Sequence, residues 1–178
     1  AQAFLAAQAG AGVMLKAVSG GGGRGMRAVR SADEMAAAYE RCRGEARAAF
    51  GVDEVYVERL MASARHIEVQ VLGDGHDVIA LGERDCTLQR RFQKLVEIAP
   101  SPVLTNALRT RLIDAALTLA RAVRYQNLGT FEFLVDPASS DLPFVFMEAN
   151  PRLQVEHTIT EEVFGVDLVQ AQIRLAAG

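Results

Sequence analysis

Residues Lys16-Ala17-Val18-Ser19-Gly20-Gly21-Gly22-Gly23-Arg24-Gly25-Met26 form the stretch that most constrains the fold of this chain. Four consecutive glycines give the backbone unusual freedom and allow main-chain N–H groups to approach an anion closely. The lysine that precedes them adds a compact positive charge. Because residues 13–18 and 26–29 have the composition of strands, we predict a hairpin whose long tip is a lid over nucleotide phosphates.

Other glycine motifs fit this stretch less well. Gly20, Gly22 and Gly25 satisfy the spacing G-x-G-x-x-G, but a dinucleotide-binding loop opens directly into a helix, and here residues 26–29 intervene. A P-loop is excluded because no Gly-Lys-Ser/Thr sequence follows the glycines. A plain surface hairpin stays open as an alternative, although four glycines would weaken it without any gain.

Outside the glycine stretch, hydrophobic periodicity predicts antiparallel strands interspersed with helices. Ser31 followed by Glu34 predicts a capping box, Thr105 predicts another helix cap, and Asp74-Gly75 predicts a two-residue hairpin turn. Residues 83–93 are left unassigned, although their density of charged and polar side chains is unusual for a plain linker. The predicted strands are 13–18, 26–29, 52–60, 66–72, 78–82, 95–98, 130–135 and 143–148, and the predicted helices are 2–9, 31–50, 105–123, 160–164 and 168–177.

This order of elements is typical of an α+β fold. A break near residues 60–65 predicts a small glycine-loop lobe, residues 1–60, followed by a larger lobe with an antiparallel sheet and helices, residues 61–178. The chain lacks an initiating Met and ends abruptly after a helical pattern. We therefore expect it to be a segment of a longer protein.

Composition narrows the class of protein. Half of the 178 residues are hydrophobic and the net charge is −3, which gives no electrostatic reason to expect a nucleic-acid or membrane partner. Two cysteines do not make a disulfide framework, and no apolar run approaches the roughly 20 residues of a membrane span. These features predict a cytoplasmic protein with reduced thiols.

Two carboxylates are predicted to meet on a sheet. In the stretch 130–134, the alternation of a strand turns Phe131 and Phe133 one way and Glu132 the other. Glu148 and Asn150 share a face of the next strand, so pairing of the two strands would bring all three polar side chains together. Such oxygen ligands suit Mg²⁺ bridging phosphates. The alternative is that Glu132 lies on a solvated face of the sheet.

The stretch Asn150-Pro151-Arg152-Leu153-Gln154-Val155-Glu156-His157 predicts a second binding feature. If it is extended, Arg152, Gln154 and Glu156 point to one side. A guanidinium, an amide and a carboxylate make a site for a small planar oxyanion, with the carboxylate placed to take a proton. An exposed salt-bridged loop is the alternative.

Taken in order, these motifs resemble biotin carboxylase, a member of the ATP-grasp superfamily. The resemblance covers essentially the whole chain, and several long motifs lie in register. It rests on residues 16–26, 65–71, 83–91, 129–133 and 148–157.

The resemblance implies a role for each matching residue. It assigns the ATP phosphates to Lys16 and the lid, Gly20, Gly21, Gly22, Gly23 and Gly25; adenine to Glu58 and Leu60; the ribose region to His66 and Gln89; and the reacting phosphoryl group to Lys94. It assigns magnesium or manganese to Glu132, Glu148 and Asn150. It assigns bicarbonate to Arg152, Gln154 and Val155, with Glu156 as the general base.

The implied activity is that of a ligase. Bicarbonate would attack the γ-phosphate of ATP to give carboxyphosphate, whose breakdown would supply CO₂ to biotin on a separate carrier domain. A carboxyltransferase domain or subunit would then use the carboxyl group, and the parent enzyme would form a homodimer. The isolated segment is expected to be inactive, because the family is considerably longer.

Two other functions stay open. Another ligase that forms carboxyphosphate, such as a carbamoyl-phosphate synthetase large subunit, would use ammonia rather than biotin. A nucleotide-binding module without activity would agree with Phe92, which stands where biotin carboxylases commonly carry a histidine that helps with ATP.

Overall fold

The computed structural model describes residues 1–8, 10–19, 25–61, 63–91, 93–139 and 142–178. They form two compact units, Ala1–Ala62 and Ser63–Gly178. The mixture of helices with antiparallel sheets agrees with the predicted α+β class. No helix within the described ranges combines the length and the apolar character that crossing a bilayer requires.

The first unit is a three-stranded antiparallel sheet packed against one long helix. The strands occur in the order β2-β1-β3, and the core between sheet and helix includes Val13, Leu15 and Met35. The elements are α1 (Gln2–Ala6), β1 (Val13–Ala17), β2 (Met26–Val29), α2 (Ala32–Phe50) and β3 (Val55–Arg59). The hairpin predicted around the glycine stretch is therefore confirmed for its two strands.

The start of α2 differs from the predicted capping box. Ser31 is the N-cap residue, but its side chain makes no capping hydrogen bond. Glu34 Oε2 instead accepts a weak hydrogen bond from the backbone N–H of Arg30 at 3.4 Å. Neither hydrogen bond of the predicted capping box forms, because Glu34 accepts from Arg30 rather than from the N–H of Ser31. Helix α1 also ends at Ala6, earlier than the predicted helix 2–9.

The second unit is a five-stranded antiparallel sheet in the order β6-β5-β4-β7-β8. One face packs on α3 around a core that includes Ile67, Leu112 and Phe133. Thr105 caps α3 as predicted, its side chain accepting from Leu108 N. The elements are β4 (Arg65–Asp74), β5 (Val78–Arg90), β6 (Gln93–Ile98), α3 (Asn106–Ala122), β7 (Gln126–Val135), β8 (Phe144–Asn150), α4 (His157–Phe164) and α5 (Leu168–Ala177).

The charged stretch that followed the predicted strand 78–82 is part of that strand. β5 continues to Arg90, and residues 83–86 within it are buried. Glu83 and Asp85 face the α3 side, where Ser101 N donates to Glu83 and Ser101 Oγ donates to Asp85. Arg84 and Cys86 face the other side. Charged side chains can occupy a buried strand here because partners on both faces satisfy them.

The β4–β5 hairpin is confirmed, but its turn is longer than the predicted Asp74-Gly75 pair. Residues 75–77 connect the strands, and Asp74 N donates to Asp77 O at 3.1 Å. The Asp74 carboxylate also accepts from the N–H groups of His76 and Asp77. These bonds hold the pKa of Asp74 below its ordinary value.

Gly129 is packed against Tyr125, which generates a test of this core. A Cβ at Gly129 would lie 1.7 Å from Tyr125 Oη and 3.0 Å from Asn150 O. We expect Gly129→Ala to lower the free energy of unfolding by at least about 2 kcal/mol through overpacking. Urea unfolding followed by circular dichroism measures the change.

A double variant provides the control for this clash. In a Tyr125→Leu background the cost of Gly129→Ala should be smaller, because the two nearest atoms that the methyl group would meet, Oη and Cζ of Tyr125, are gone. Gly44→Ala in α2, where a Cβ meets nothing within 4 Å, should instead stabilise by roughly 0.5–1 kcal/mol. Equal costs of Gly129→Ala in both backgrounds would contradict this packing.

Candidate functional site

A row of four charged side chains crosses the sheet of the second unit. Arg84 on β5 lies opposite Glu68 on β4, and Glu68 lies opposite Glu132 on β7. Glu132 in turn lies opposite Glu148 on β8. Directly opposed residues of antiparallel strands point to the same face, and like charges so placed repel one another. The carboxylate row, Glu68, Glu132 and Glu148, therefore needs cations to stabilise it.

A bulge in β8 places the last member of this row. Glu132 pairs with Glu148, but the next residue, Phe133, pairs with Phe146, so Met147 is an extra residue in β8. Strict alternation would put Phe146 and Glu148 on one face. The bulge separates them: the ring of Phe146 packs 5.8 Å from that of Phe133, while Glu148 faces Glu132.

Lys94 is the cation at the centre of the cluster. Its Nζ lies 2.5 Å from Glu68 Oε2 and 3.1 Å from Glu132 Oε1, and it also donates to Glu156 Oε1. Its side chain is 16% exposed. Burial alone would lower the pKa of Lys94, but the charges of Glu68 and Glu132 and the hydrogen bonds to Glu156 and Glu68 outweigh it and raise that pKa. Lys94 therefore stays charged.

Donors and cations surround Glu132. Its Oε1 accepts from Lys94, from Asn150 Nδ2 at 2.9 Å and from Gln154 Nε2 at 3.0 Å, and its Oε2 lies 2.6 Å from His66 Nε2. Burial alone would raise the pKa of Glu132, but these groups, His66 first among them, hold it well below its ordinary value. Glu132 is thus a buried carboxylate kept ionised.

His66 is oriented by Gln89. Gln89 Nε2 donates to the backbone oxygen of Cys86 at 2.8 Å, which fixes the side-chain amide orientation. The same nitrogen lies 2.8 Å from His66 Nδ1, so Nδ1 is the acceptor of this hydrogen bond. His66 Nε2 lies 2.6 Å from Glu132 Oε2. Two residues predicted near ribose therefore also position a predicted metal ligand.

Arg84 joins the row to α4. This fully buried side chain donates from Nε to Glu68 Oε1 at 2.6 Å and from Nη1 to Gln70 Oε1 and Thr160 Oγ1 at 2.9 and 2.8 Å. Its Nη2 has no hydrogen-bond partner among the described residues. Because α4 begins directly after Glu156, one guanidinium fixes both Glu68 and the helix behind the predicted base.

The predicted oxyanion-binding stretch is not extended. Residues 151–156 form no strand, and His157 N donates to Gln154 O in a turn that leads into α4. Gln154 and Glu156 are buried, and Thr130 Oγ1 donates to Gln154 Oε1 at 2.5 Å. Arg152 is exposed and bonds the backbone oxygen of Leu153. The structure thus groups Gln154 and Glu156 with Glu132 and Lys94, but not Arg152.

Val155, which the resemblance assigns to bicarbonate through its backbone, lies in the same turn. Its side chain is 87% exposed. It therefore faces away from the buried side on which Gln154 and Glu156 lie.

The predicted nucleotide residues of the first unit lie on its sheet. Lys16 is buried, and its Nζ lies 2.7 Å from Glu58 Oε2, so the two predicted contacts pair with each other. Leu60 is buried and its N–H donates to Gly12 O. Each of these contacts is local to the first unit.

Only part of the glycine lid falls within the described residues. Gly25 has φ +67°, and a Cβ there would lie 2.8 Å from that of Ala17. Its carbonyl accepts from Ala17 N and from the Cys42 thiol. Packing of the hairpin thus explains glycine at position 25. Residues Gly20, Gly21, Gly22 and Gly23, and also Phe92, lie outside the described residues.

The sequence analysis gave no role to Glu68, Arg84, Thr130 or Thr160, all of which are buried at this site. A signal for Glu68 was present, because polar and apolar residues alternate in β4 and place His66, Glu68 and Gln70 on one face. Arg84 lies in the charged stretch 83–93, for which no strand was predicted. Thr160 carries no recognisable sequence signal.

Comparison with known proteins assigns the class. The family model for the carbamoyl-phosphate synthase L chain, ATP binding domain, matches residues 1–178, and the chain belongs to this family. Pyruvate carboxylase of Bacillus subtilis (strain 168) is 56% identical over 93% of the chain. The chain spans only 14% of that relative's length.

Two solved structures are close in fold. A biotin carboxylase–β,γ-ATP complex from Campylobacter jejuni has a TM-score of 0.91 and 48% identity, covering 97% of this chain and 38% of that chain. The biotin carboxylase domain dimer of a Hydrogenobacter thermophilus 2-oxoglutarate carboxylase, in complex with MgADP, ADP and bicarbonate, has a TM-score of 0.89 and 46% identity. It covers 98% of this chain and 38% of that chain. The predicted resemblance to biotin carboxylase is confirmed.

The buried arginine generates a stability prediction. We expect Arg84→Met to destabilise the chain by about 3–5 kcal/mol, because the fully buried Glu68 would keep only Lys94 as a charged partner. Arg121→Met, at an exposed position of α3, should change stability by less than about 0.5 kcal/mol. Urea denaturation of both variants measures the difference.

Removing both charges provides the complementary control. Arg84→Met combined with Glu68→Met should cost less than the sum of the two single changes, because neither leaves the other unpaired. Additive costs would show that the two side chains do not depend on each other.

Proposed function

We propose that this chain is the ATP- and bicarbonate-binding segment of a biotin carboxylase within a biotin-dependent carboxylase. The observation that carries the proposal is Lys94, which joins Glu132, a predicted metal ligand, to Glu156, the predicted base. One ammonium group thus links the groups expected to meet phosphate and bicarbonate. Transfer of a phosphoryl group to bicarbonate requires these two functions side by side.

The carboxylate row supports a divalent-cation site at Glu132, Glu148 and Asn150. Among the described residues, Glu148 makes no ion pair, and its side chain accepts a weak hydrogen bond from Asn150 Nδ2 at 3.4 Å. A partly exposed carboxylate opposite a buried one offers the hard oxygen donors that Mg²⁺ or Mn²⁺ prefers. These residues fit the ion, which would supply neutralisation of phosphate charge when bound.

For the nucleotide we propose the residues that the resemblance assigns. Lys16 and the glycine lid would hold the phosphates, with Glu58 and Leu60 at adenine and His66 and Gln89 at ribose. Lys16 is already directed by Glu58 and has to exchange that carboxylate for phosphate oxygens. Such an exchange keeps the ammonium paired with negative charge in both states.

Bicarbonate would bind beside Glu156. Gln154 is rigidly held between Thr130 and Glu132, so its amide is a fixed group near the base. Arg152 is exposed and free to turn its guanidinium toward an anion, and the backbone of Val155 adjoins both. Glu156 would take the bicarbonate proton while an oxygen of bicarbonate attacks the γ-phosphate and ADP leaves. The resulting carboxyphosphate would decompose to CO₂ and phosphate.

The parent protein would deliver this CO₂ to biotin carried on a separate domain, and a carboxyltransferase would complete the reaction. We further propose that the parent forms a dimer, as the Hydrogenobacter domain does. Two buried free thiols, Cys42 and Cys86, support a reducing compartment such as the cytoplasm.

A ligase that makes carbamoyl phosphate is the second candidate, favoured by the family model. It would share the bicarbonate chemistry but require ammonia. In the full-length enzyme, ATP cleavage that depends on bicarbonate and biotin supports the first proposal. Cleavage that depends on ammonia and not on biotin supports the second, and a chain that binds Mg-ATP without any turnover in its parent would be a binding module.

The nucleotide site is tested by thermal unfolding of this chain with and without Mg-ATP. At about 100 times its dissociation constant, a ligand specific to the folded state should stabilise by roughly 2.7 kcal/mol. We expect Glu148→Gln to abolish most of this shift, because it removes a metal ligand without breaking an ion pair. Glu162→Gln, at an exposed position of α4, is the matched control and should keep the shift. Equal shifts in both variants would argue against the metal site.

A further inference from the structure

Lys94 has no donor left for a substrate in this structure. An ammonium group offers three N–H donors, and the described contacts of Nζ are with three carboxylates, those of Glu68, Glu132 and Glu156. A lysine poised to meet a phosphate would keep at least one donor free. The arrangement is therefore that of a counter-cation for the acidic cluster.

Glu132 Oε1 has no position left for a metal ion. Three groups donate to this oxygen, which has two lone pairs, while His66 Nε2 lies 2.6 Å from Oε2. A metal ion therefore reaches Glu132 Oε1 only if a donor leaves. The amides of Asn150 and Gln154 are neutral, whereas the ammonium of Lys94 is repelled by a dication at close range.

From this geometry we propose that Lys94 occupies the divalent-cation position of the carboxylate cluster and competes with the metal ion for Glu132. This inference rests on the proposed metal site and adds a regulatory device to it. When the metal ion arrives, Lys94 leaves Glu132, and its ammonium becomes free for phosphate. Binding of the metal ion and release of the Lys94 ammonium for phosphate would then be coupled.

The structure also shows why the displaced lysine stays nearby. Glu68, its fully buried partner, is fixed through Oε1 by Arg84. Glu68 Oε2 therefore keeps an anchor for the ammonium when Glu132 is taken. The exchange needs a side-chain movement at the end of a flexible stem rather than a rearrangement of strands.

Mn²⁺ binding to this chain tests the competition. Free Mn²⁺ measured by electron paramagnetic resonance gives the dissociation constant for wild type, Lys94→Gln and Lys94→Arg. We expect Lys94→Gln to bind Mn²⁺ about tenfold or more tightly than wild type, because the competing charge is gone. Lys94→Arg, which keeps the charge, should stay near the wild-type value.

Arg90→Gln is the matched control, because it removes one positive charge at an exposed position of β5. It should change Mn²⁺ affinity less than about twofold, since a solvated charge outside the cluster is screened. An equal gain in Arg90→Gln and Lys94→Gln would overturn the inference. So would equal or weaker binding in Lys94→Gln than in wild type.

The two proposals fail separately. If Glu148→Gln abolishes Mn²⁺ binding but Lys94→Gln binds like wild type, the metal site stands and the competition is wrong. Absence of binding in every variant overturns both.

A measurement on the unmodified chain guards against misfolding of the variants. Nuclear magnetic resonance of ¹⁵N-labelled lysine should show the Lys94 ammonium signal shift on titration with Mg²⁺ alone. An unchanged signal with Mg²⁺ bound would overturn the proposal.

Discussion

The ion pair between Arg84 and Glu68 makes the rest of the second unit possible. Both side chains are fully buried; among the described residues Arg84 has Glu68 as its ion-pair partner, and Glu68 is shared between Arg84 and Lys94. Glu68 also forms an ion pair with Lys94, and Lys94 forms further ion pairs with Glu132 and Glu156. Arg84 also holds Thr160, so the helix that follows Glu156 depends on the same guanidinium. The fold and the candidate site therefore share one interaction.

This dependence explains the unusual composition of β5. Residues 83–86 place two acids toward α3 and put Arg84 and Cys86 on the side of the carboxylate row. Residues 83–93 had no predicted element, and charged side chains enter a buried strand only where partners satisfy them. Their partners come from residues far away in the chain, such as Arg109 for Glu83. Local sequence could not reveal that compensation, although the density of charge did mark the stretch as special.

The sequence predicted that Glu132 and Glu148 meet, but it did not predict the β-bulge that brings them to the same face. Alternation correctly turned Glu132 away from Phe131 and Phe133 because β7 is regular there. In β8 the same rule would have put Phe146 beside Glu148, and the bulge at Met147 is what separates them. A bulge depends on packing of the whole sheet and leaves little trace in a single sequence.

The stretch 151–156 shows the opposite failure. Its polar residues at every second position suggested an extended chain, but a turn leads from Gln154 into α4. Alternation predicted that Arg152, Gln154 and Glu156 share one side, but Gln154 and Glu156 are buried whereas Arg152 is exposed. Tertiary hydrogen bonds from Thr130 and Lys94, rather than strand alternation, select which side chains face the cluster.

Charge balance gives a final reason to connect the cluster with a metal–phosphate ligand. Four carboxylates, those of the carboxylate row and Glu156, meet two fixed cations, Arg84 and Lys94. These six groups alone leave an excess of two negative charges, which matches one divalent ion. A polyphosphate alone would add negative charge to a cluster that already repels it, so it is expected to arrive with its metal ion. The surplus of acid in this sheet thus favours the metal complex of a nucleotide over the bare nucleotide.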